Sequence, residues 1–465
     1  MSHTELNNLL LNTDSYKASH FLQYPEGTER VFSYIESRGG EYDATVFFGL
    51  QMFIKQYLTN PITMDQVEEA KLLWEAHGEP FNYEGWKYIV NELGGKLPVE
   101  IKAVPEGSVI PTKNVLVTIE NTDPKCFWLT SYLETALLRA VWYPTTVATQ
   151  SYECKKIIAK YLEETGDVSG ISFKLHDFGA RGVSSFESAG IGGLGHLINF
   201  MGTDTMTAIL FARKYYNVKD MPAFSIPAAE HSTTTAGGRE GEVAQFKRCV
   251  DAFAKPGAIY AVVSDGYDIF NACENIWGKE LKTQVVDSGA TLVIRPDSGD
   301  PETTVMKCLN ILAKQFGTTT NDKGYRVLNN VRLIQGDGVN IRSIRAILAN
   351  MELNGFSADN IAFGMGGALL QGINRDTLKF AMKCSWMQVN GEGRDIFKDP
   401  ITDQGKKSKK GRLKLVRETM NGEYRTMREE EFIKTPTETV LEVVYRNGEL
   451  LRDMTFEEVR ANASK

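Results

Sequence analysis

Apolar positions recur in two different rhythms along the chain, and the change between them divides it. Over residues 62–77, Met64, Val67, Ala70 and Trp74 fall at helical spacing. Thr63 and Gln66 form a capping box in front of them and Gly78 follows, so the pattern predicts a helix with His77 in its last turn. Residues 97–120 (LPVEIKAVPEGSVIPTKNVLVTIE) alternate apolar and polar between Pro and Gly turns, the pattern of antiparallel strands. A second helix is predicted over 151–165, stopped by Gly166. Beyond it the rhythm becomes one of short, nearly continuous apolar runs, each ending in a polar or Gly-rich turn: ISFKLHDFGARG, AFSIPAAEHS, AIYAVVSDGYD, ATLVIRPDSGD, VRLIQGDGV, NIAFGMGGALLQ and FAMKCSWMQV. Runs of this kind separated by helical stretches predict parallel strands buried on both faces, with the polar turns at one end. After about residue 390 a basic stretch, FKDPITDQGKKSKKGRLKLV, precedes TVLEVVYRNGEL, which predicts a hairpin around Asn-Gly that rejoins the sheet of residues 97–120.

The expected fold is therefore α/β, a barrel-like parallel catalytic domain with a discontinuous, mainly antiparallel sheet domain built from N- and C-terminal parts. The expected boundaries are an N-terminal segment over 1–30, a sheet-rich domain over 31–130 and 400–465, and a barrel-like domain over 131–399. With 465 residues, the chain is long enough to bury a large core without staples. Its net charge of -7 argues against nucleic acid or an acidic membrane as partner. The six cysteines are scattered without a C-x-x-C pair, which is the usage of a reducing compartment. No apolar run is long enough to span a bilayer, and the start lacks a basic end followed by an apolar core, so a cytoplasmic location is expected.

The chemistry gathers on the turns. His176, Asp177, Arg181, Ser184, Ser185, Glu230, His231, Asp265, Asp268, Arg295, Asp297, Ser298, Asp300, Asp337 and Arg375 stand there among glycines 336, 338, 364, 366 and 367. Arginine offers forked donors, and glycine lets backbone N–H groups approach oxygen, so these turns suit phosphate; aspartates beside phosphate suit Mg²⁺. There is no P-loop lysine pattern. His231 stands out, placed between a carboxylate and a run of hydroxyls at the end of an apolar run. An imidazole becomes a phosphoryl acceptor if a partner holds its tautomer. Glu230 is adjacent, but strand neighbours point to opposite faces, and Asp268 is an equally good candidate.

The segments TDSYK (13–17), KLHDFGARGVSS (174–185), GTDT (202–205), PAAEHS (227–232), VVSDGYDI (262–269), IRPDSG (294–299), QGDGV (335–339), FGMGG (363–367) and KKSKKGR (406–412) resemble, in order, the nicotinamide phosphoribosyltransferases, type II phosphoribosyltransferases. The resemblance implies synthesis of nicotinamide mononucleotide and pyrophosphate from nicotinamide and phosphoribosyl pyrophosphate in NAD salvage, by a homodimer with shared active sites, with Mg²⁺ and with ATP hydrolysed through a phosphohistidine. It places the phosphohistidine on His231, with Glu230 beside it. Arg295 then grips the ribose or phosphate side, and Asp297 and Asp268 serve ribose and magnesium. Gly336, Asp337, Gly366, Gly367, Ser225, Ser264 and Arg181 line the substrate. Arg375, Lys383, Lys398, Lys406 and Arg38 reach phosphates, several from the partner subunit. Phe178 and, across the interface, Tyr16 sandwich the pyridine near Asp14, whose plainer role is helix capping. Asp204 would accept the carboxamide N–H₂ and repel a carboxylate, which separates this reading from the alternative, a nicotinate phosphoribosyltransferase. A more distant alternative, an aldolase-like barrel, would need a strand-end Schiff-base lysine, for which Lys383 is the candidate. Ala180 and Gly266 depart from vertebrate members of the family, which carry an aromatic residue and a serine there.

Overall fold

The computed structural model describes residues 6–403, 406–418, 421–433 and 437–465. Residues 1–5, the start of the stretch read for a leader, and residues 404–405 of the basic stretch lie outside these. The chain separates into two compact units: residues 1–149, 214–217 and 374–465 form the first, and residues 150–213 and 218–373 the second.

The first unit is built on a seven-stranded antiparallel sheet. Its order is Glu392–Asp395, Phe380–Val389, Thr28–Ser37, Val115–Asn121, Val99–Ala103, Glu442–Arg446 and Glu449–Leu450. The C-terminal hairpin turns on Asn447 and Gly448, both at positive φ (51° and 91°), and pairs with Val99–Ala103 as the sequence predicts. The run FAMKCSWMQV departs from expectation. It pairs antiparallel with Thr28–Ser37 and turns back through Asn390 and Gly391 (φ 51° and 78°), a hairpin signal that overrides its apolar content. Lys383 therefore stands on this sheet and not at the end of a parallel strand. The predicted helix runs Met64–His77 with its capping box formed and Gly78 in the left-handed region. Trp86 is fully buried, meeting the rings of Trp128 and Tyr132 edge-on at 5.0 and 5.2 Å.

The helix expected from residue 151 begins at Glu134 and runs to Thr165. Pro144, which breaks the sequence pattern, lies inside it. Gly49 must be glycine to admit this proline, since a Cβ there would come within 2.2 Å of Pro144 Cγ.

The second unit holds six parallel strands in the order Gly202–Thr203, Leu175–Asp177, Ile361–Met365, Val331–Gln335, Thr291–Arg295 and Ile259–Val263. The run AFSIPAAEHS, expected to be a strand, makes only two single bridges. Phe224 pairs with Gly202 at one edge of the sheet and Ala228 with Ala261 at the other. Pro222 and Pro227 lack the N–H groups a ladder needs. These two bridges nevertheless carry the sheet round on itself, so the parallel strands curl into a barrel. Inward-facing Ala261, Val293, Ile334 and Ala362 line its interior. Barrels of this kind usually fill that space with large branched side chains; two alanines here leave a cavity of about 430 Å³.

Candidate active site

Each parallel strand delivers its last residues to one end of the barrel, and the turns that follow carry the polar side chains. His231 is the first residue of a one-turn helix, His231–Thr234, and Glu230 caps it. Its side chain is about half exposed (46%), while that of Asp265 is 5% exposed. The imidazole Nε2 lies 2.7 Å from Asp265 Oδ1. The other oxygen of Asp265 accepts from the Ser298 hydroxyl. Asp297 Oδ2 lies 4.0 Å from His231 Nδ1, and Asp297 Oδ1 lies 4.0 Å from Arg295 Nε. Histidine, aspartate, serine and the next aspartate thus form one cluster drawn from three turns. A carboxylate only accepts hydrogen bonds, so the Asp265 contact calls for a hydrogen on Nε2; in a neutral ring the lone pair is then on Nδ1, on the side of Asp297.

This corrects the choice of partner for His231. Glu230 accepts from the Ser232 hydroxyl. Asp268 caps the following helix, its Oδ1 accepting from the N–H groups of Phe270 and Asn271 at 2.9 and 3.0 Å. Asp265, two residues past the end of its strand, makes the contact instead.

The Phe178 ring stands at the mouth of the cavity against two glycines. A Cβ on Gly364 would come within 2.0 Å of Phe178 Cε2, and one on Gly336 within 3.6 Å. The backbone of this turn is held by Asp177, whose carboxylate accepts the Gly179 N–H at 2.7 Å. Asp177 is fully buried, and this burial pushes its pKa up to about 6 against the lowering pull of the Gly179 N–H and the Thr205 side chain. Asp204 and Ser225 also line the mouth, the Ser225 hydroxyl donating to Asp204 Oδ1 at 2.5 Å. Arg295 lines it too, and its Nε has no hydrogen-bond partner. Arg181 and Asp337 are exposed on their turns, and Gly366 and Gly367 open a short helix after the strand Ile361–Met365. Gly182 packs on Gly367, where a Cβ would meet the Gly367 Cα at 3.2 Å. His176 bonds the Phe173 carbonyl at 3.1 Å, and burial lowers its pKa. Ser264 is not brought to the site: it is fully buried, donates to the Val262 carbonyl and accepts from Trp277 Nε1, both at 3.0 Å.

In the first unit, Arg38, Arg375, Lys383, Lys398 and Lys406 line one cavity of about 640 Å³. Lys113 and Lys379, unremarked in the sequence, line it as well. Burial lowers the pKa of Lys383, and the cations Arg38, Lys398 and Lys17 reinforce the shift against the opposing pull of Glu134. Arg38 Nε and Nη2 have no hydrogen-bond partner. Asp14 precedes the helix Ser15–Leu22 but does not bond its N–H groups; its carboxylate accepts from Thr135 Oγ1 at 2.7 Å. Tyr16 is exposed, edge-on to His20 at 4.8 Å. Among the described residues no three His, Cys, Asp or Glu side chains are grouped to hold a metal by themselves. An ion carried in by phosphate oxygens needs only one or two carboxylates, and Asp297 suits that limited part.

Comparison with known proteins gives a consistent result. Residues 173–449 match the model of the nicotinate phosphoribosyltransferase (NAPRTase) family, and residues 8–101 match that of the nicotinamide phosphoribosyltransferase N-terminal domain. The chain is 56% identical over 462 residues to a nicotinamide phosphoribosyltransferase of Xanthomonas campestris pv. campestris (strain 8004), with 98% of each chain covered. It is 35% identical over 486 residues to that of Acinetobacter baylyi, covering 96% of this chain and 95% of the relative. Among solved structures, nicotinate-nucleotide pyrophosphorylase from Pyrococcus furiosus matches with a TM-score of 0.64 at 15% identity, covering 100% of this chain and 97% of that one. Human nicotinic acid phosphoribosyltransferase matches with a TM-score of 0.55 at 16% identity, covering 98% and 93%. At these identities the solved structures share the fold.

Proposed function

The chain belongs to the nicotinate phosphoribosyltransferase family, and from that premise we propose that it joins nicotinamide to phosphoribosyl pyrophosphate in NAD salvage, forming nicotinamide mononucleotide and pyrophosphate. The observation that carries this reading is the 56% identity to a nicotinamide phosphoribosyltransferase over 98% of both chains. The nicotinate enzyme is a neighbour in fold at 16% identity, which leaves the amide as the favoured base.

The chemistry asked of the site is modest in protons and heavy in charge. The pyridine nitrogen brings its own lone pair to ribose C1, the C1–O bond breaks, and pyrophosphate leaves with the electrons. No general base is needed. The leaving group requires electrostatic stabilisation, for which Arg295 is the candidate cation of the second unit and the basic cavity the candidate phosphate site of the first. Phe178 offers a flat face for the ring, and a pairing of this kind is worth roughly 0.5–1.5 kcal/mol beyond area burial. Asp204 accepts from the carboxamide and repels a carboxylate in the same place. Mg²⁺ arriving with the phosphates would neutralise part of their charge, with Asp297 and Asp268 as its protein oxygens.

ATP enters this reading as a co-substrate. The His231 Nδ1 lone pair attacks the terminal phosphorus, the bond to the leaving ADP oxygen breaks, and Asp265, still accepting the Nε2 hydrogen, stabilises the positive phosphoimidazolium that results. Asp14, Tyr16 and the basic cavity belong to a homodimer with shared sites, in the cytoplasm. Among the described residues no helix is long and apolar enough to cross a membrane.

The test pairs the wild type with His231→Ala, supplied with phosphoribosyl pyrophosphate and Mg²⁺ and offered nicotinamide or nicotinate, with and without ATP. The wild type should make nicotinamide mononucleotide faster with ATP, and the variant should lose the ATP effect. Turnover of nicotinate in preference to nicotinamide would overturn the assignment of the base. Sedimentation of the active protein as a monomer would remove the shared site.

A further inference from the structure

Three neighbouring strands inside the first unit's sheet come together at one end of it. Thr28–Ser37 runs out into Arg38, and its antiparallel neighbours Val115–Asn121 and Phe380–Val389 begin beside that exit. Lys113 stands just before the first neighbour and Lys379 just before the second. The backbone ties them to the middle strand: the Lys113 N–H donates to the Ser37 carbonyl at 2.6 Å, and the Arg38 N–H donates to the Lys379 carbonyl at 3.2 Å. Lys113, Arg38 and Lys379 therefore form a row of cations across that end of the sheet.

Both lysines are held in the left-handed region, at φ 66° and 48°. A residue with a Cβ is strained there, and glycine or asparagine is the usual occupant. The turns gain nothing from a lysine side chain. Both side chains are exposed and both line the basic cavity, whose two carboxylates, Asp376 and Asp403, lie 3.5 Å from Arg375 and Lys406. This is a dense positive site in a chain of net charge -7. Arg38 is largely buried, at 17% side-chain exposure; its Nε lies 3.8 Å from Glu36 Oε1, and neither Nε nor Nη2 makes a hydrogen bond, so the cavity has an inner cation and an exposed rim.

We propose that Lys113 and Lys379 form an outer cationic rim that takes the far phosphates of a linear polyphosphate. The basic cavity would then favour a triphosphate chain over pyrophosphate and orthophosphate. The proposal rests on the phosphate-binding reading of this cavity and adds to it a selection by chain length.

The test is the double variant Lys113→Gly/Lys379→Gly, titrated calorimetrically beside the wild type with inorganic tripolyphosphate, pyrophosphate and orthophosphate at two salt concentrations. Glycine relieves the left-handed turns, so the thermal midpoint should hold or rise; Lys113→Asn/Lys379→Asn serves as a second pair should the glycine variant fold poorly. Tripolyphosphate affinity should fall about tenfold at low salt, and by less near 0.15 M, where exposed charges are screened over ~8 Å. Pyrophosphate and orthophosphate should change by less than about threefold, because the inner cations remain. Unchanged tripolyphosphate affinity, or an equal loss for all three anions, would overturn the rim while leaving the phosphate reading intact. Failure of the wild type to bind any of the three would overturn both.

Discussion

His231 and Asp265 sit 2.7 Å apart, Nε2 to Oδ1, with Ser298 closed on the far oxygen of the same carboxylate. The pair reaches across two turns, so the tautomer of the histidine is set by a residue far from it in sequence. Asp265→Asn should keep the geometry and lose the bias toward the Nε2 hydrogen. Incorporation of labelled phosphate from ATP should fall roughly 100-fold or more, as general acid–base partners typically contribute 10²–10⁴. Ser298→Ala should cause a smaller loss and mix the two tautomers in the imidazole ¹⁵N spectrum, and Ser298→Thr should restore both. An unmixed spectrum in Ser298→Ala would deny the serine any hold on the carboxylate.

Gly364 exists to admit the Phe178 ring, with 2.0 Å between an added Cβ and Phe178 Cε2. Gly364→Ala should push the ring from its place. Overpacking of this kind costs roughly 1–3 kcal/mol, visible in the unfolding midpoint. The KM for nicotinamide should rise about tenfold if the ring supplies stacking near the upper end of its usual range. A variant that is destabilised but retains its KM would show that Phe178 supports the turn and not the base.

Asp204 shares one oxygen with Ser225 at the cavity mouth. Asp204→Asn removes the charge that opposes a carboxylate while keeping an acceptor for the amide. Competition between nicotinamide and nicotinate should shift toward nicotinate by roughly ten- to hundredfold, the scale of a few kcal/mol for like charges near a protein surface. An unaltered ratio would move the selectivity to another residue.

Asp177 gives a pH dependence of known sign. Its folded pKa of about 6 lies above the usual carboxylate value because the group is buried. Below the unfolded pKa both states hold the proton and no penalty is felt. As pH rises toward 6 the unfolded chain ionises first and stability is lost; above 6 the loss is constant, about 3 kcal/mol for a shift of this size. Asp177→Asn keeps an acceptor for the Gly179 N–H and removes the ionisation, so its unfolding midpoint should vary less between pH 4 and 7 than that of the wild type. Parallel pH curves would count against the burial argument.

Much of this was legible wherever a local signal agreed with the tertiary outcome. Thr63, Gln66 and Gly78 frame their helix by chemistry that needs no partner, and Asn447-Gly448 dictates its hairpin. The runs around Val262, Ile294, Leu333 and Phe363 are apolar because both faces of a parallel strand are covered. The failures are those of context. Phe380–Val389 is apolar because it is packed in the first unit's sheet, and only its Asn390-Gly391 turn distinguishes it from a barrel strand. Asp265, Asp268 and Glu230 are alike on paper. Local hydrogen bonds decide among them, committing Asp268 to the N–H groups of a helix cap and Glu230 to the Ser232 hydroxyl. Ser264 resembles its polar neighbours until the burial of Trp277 claims its hydroxyl. Lys113 and Lys379 look like any surface lysines until the paired strand ends align them with Arg38.

The barrel is fastened unevenly. Six of its staves share ladders, but the segment that leads to His231 joins the sheet by single bridges at Phe224 and Ala228. That segment can come away and return without unzipping its neighbours, so its amides should exchange with deuterated solvent ahead of those in Ile259–Val263 or Thr291–Arg295. Among the described residues the histidine hangs from the least fastened plank of the barrel, which suits the phosphate-carrying role proposed for it.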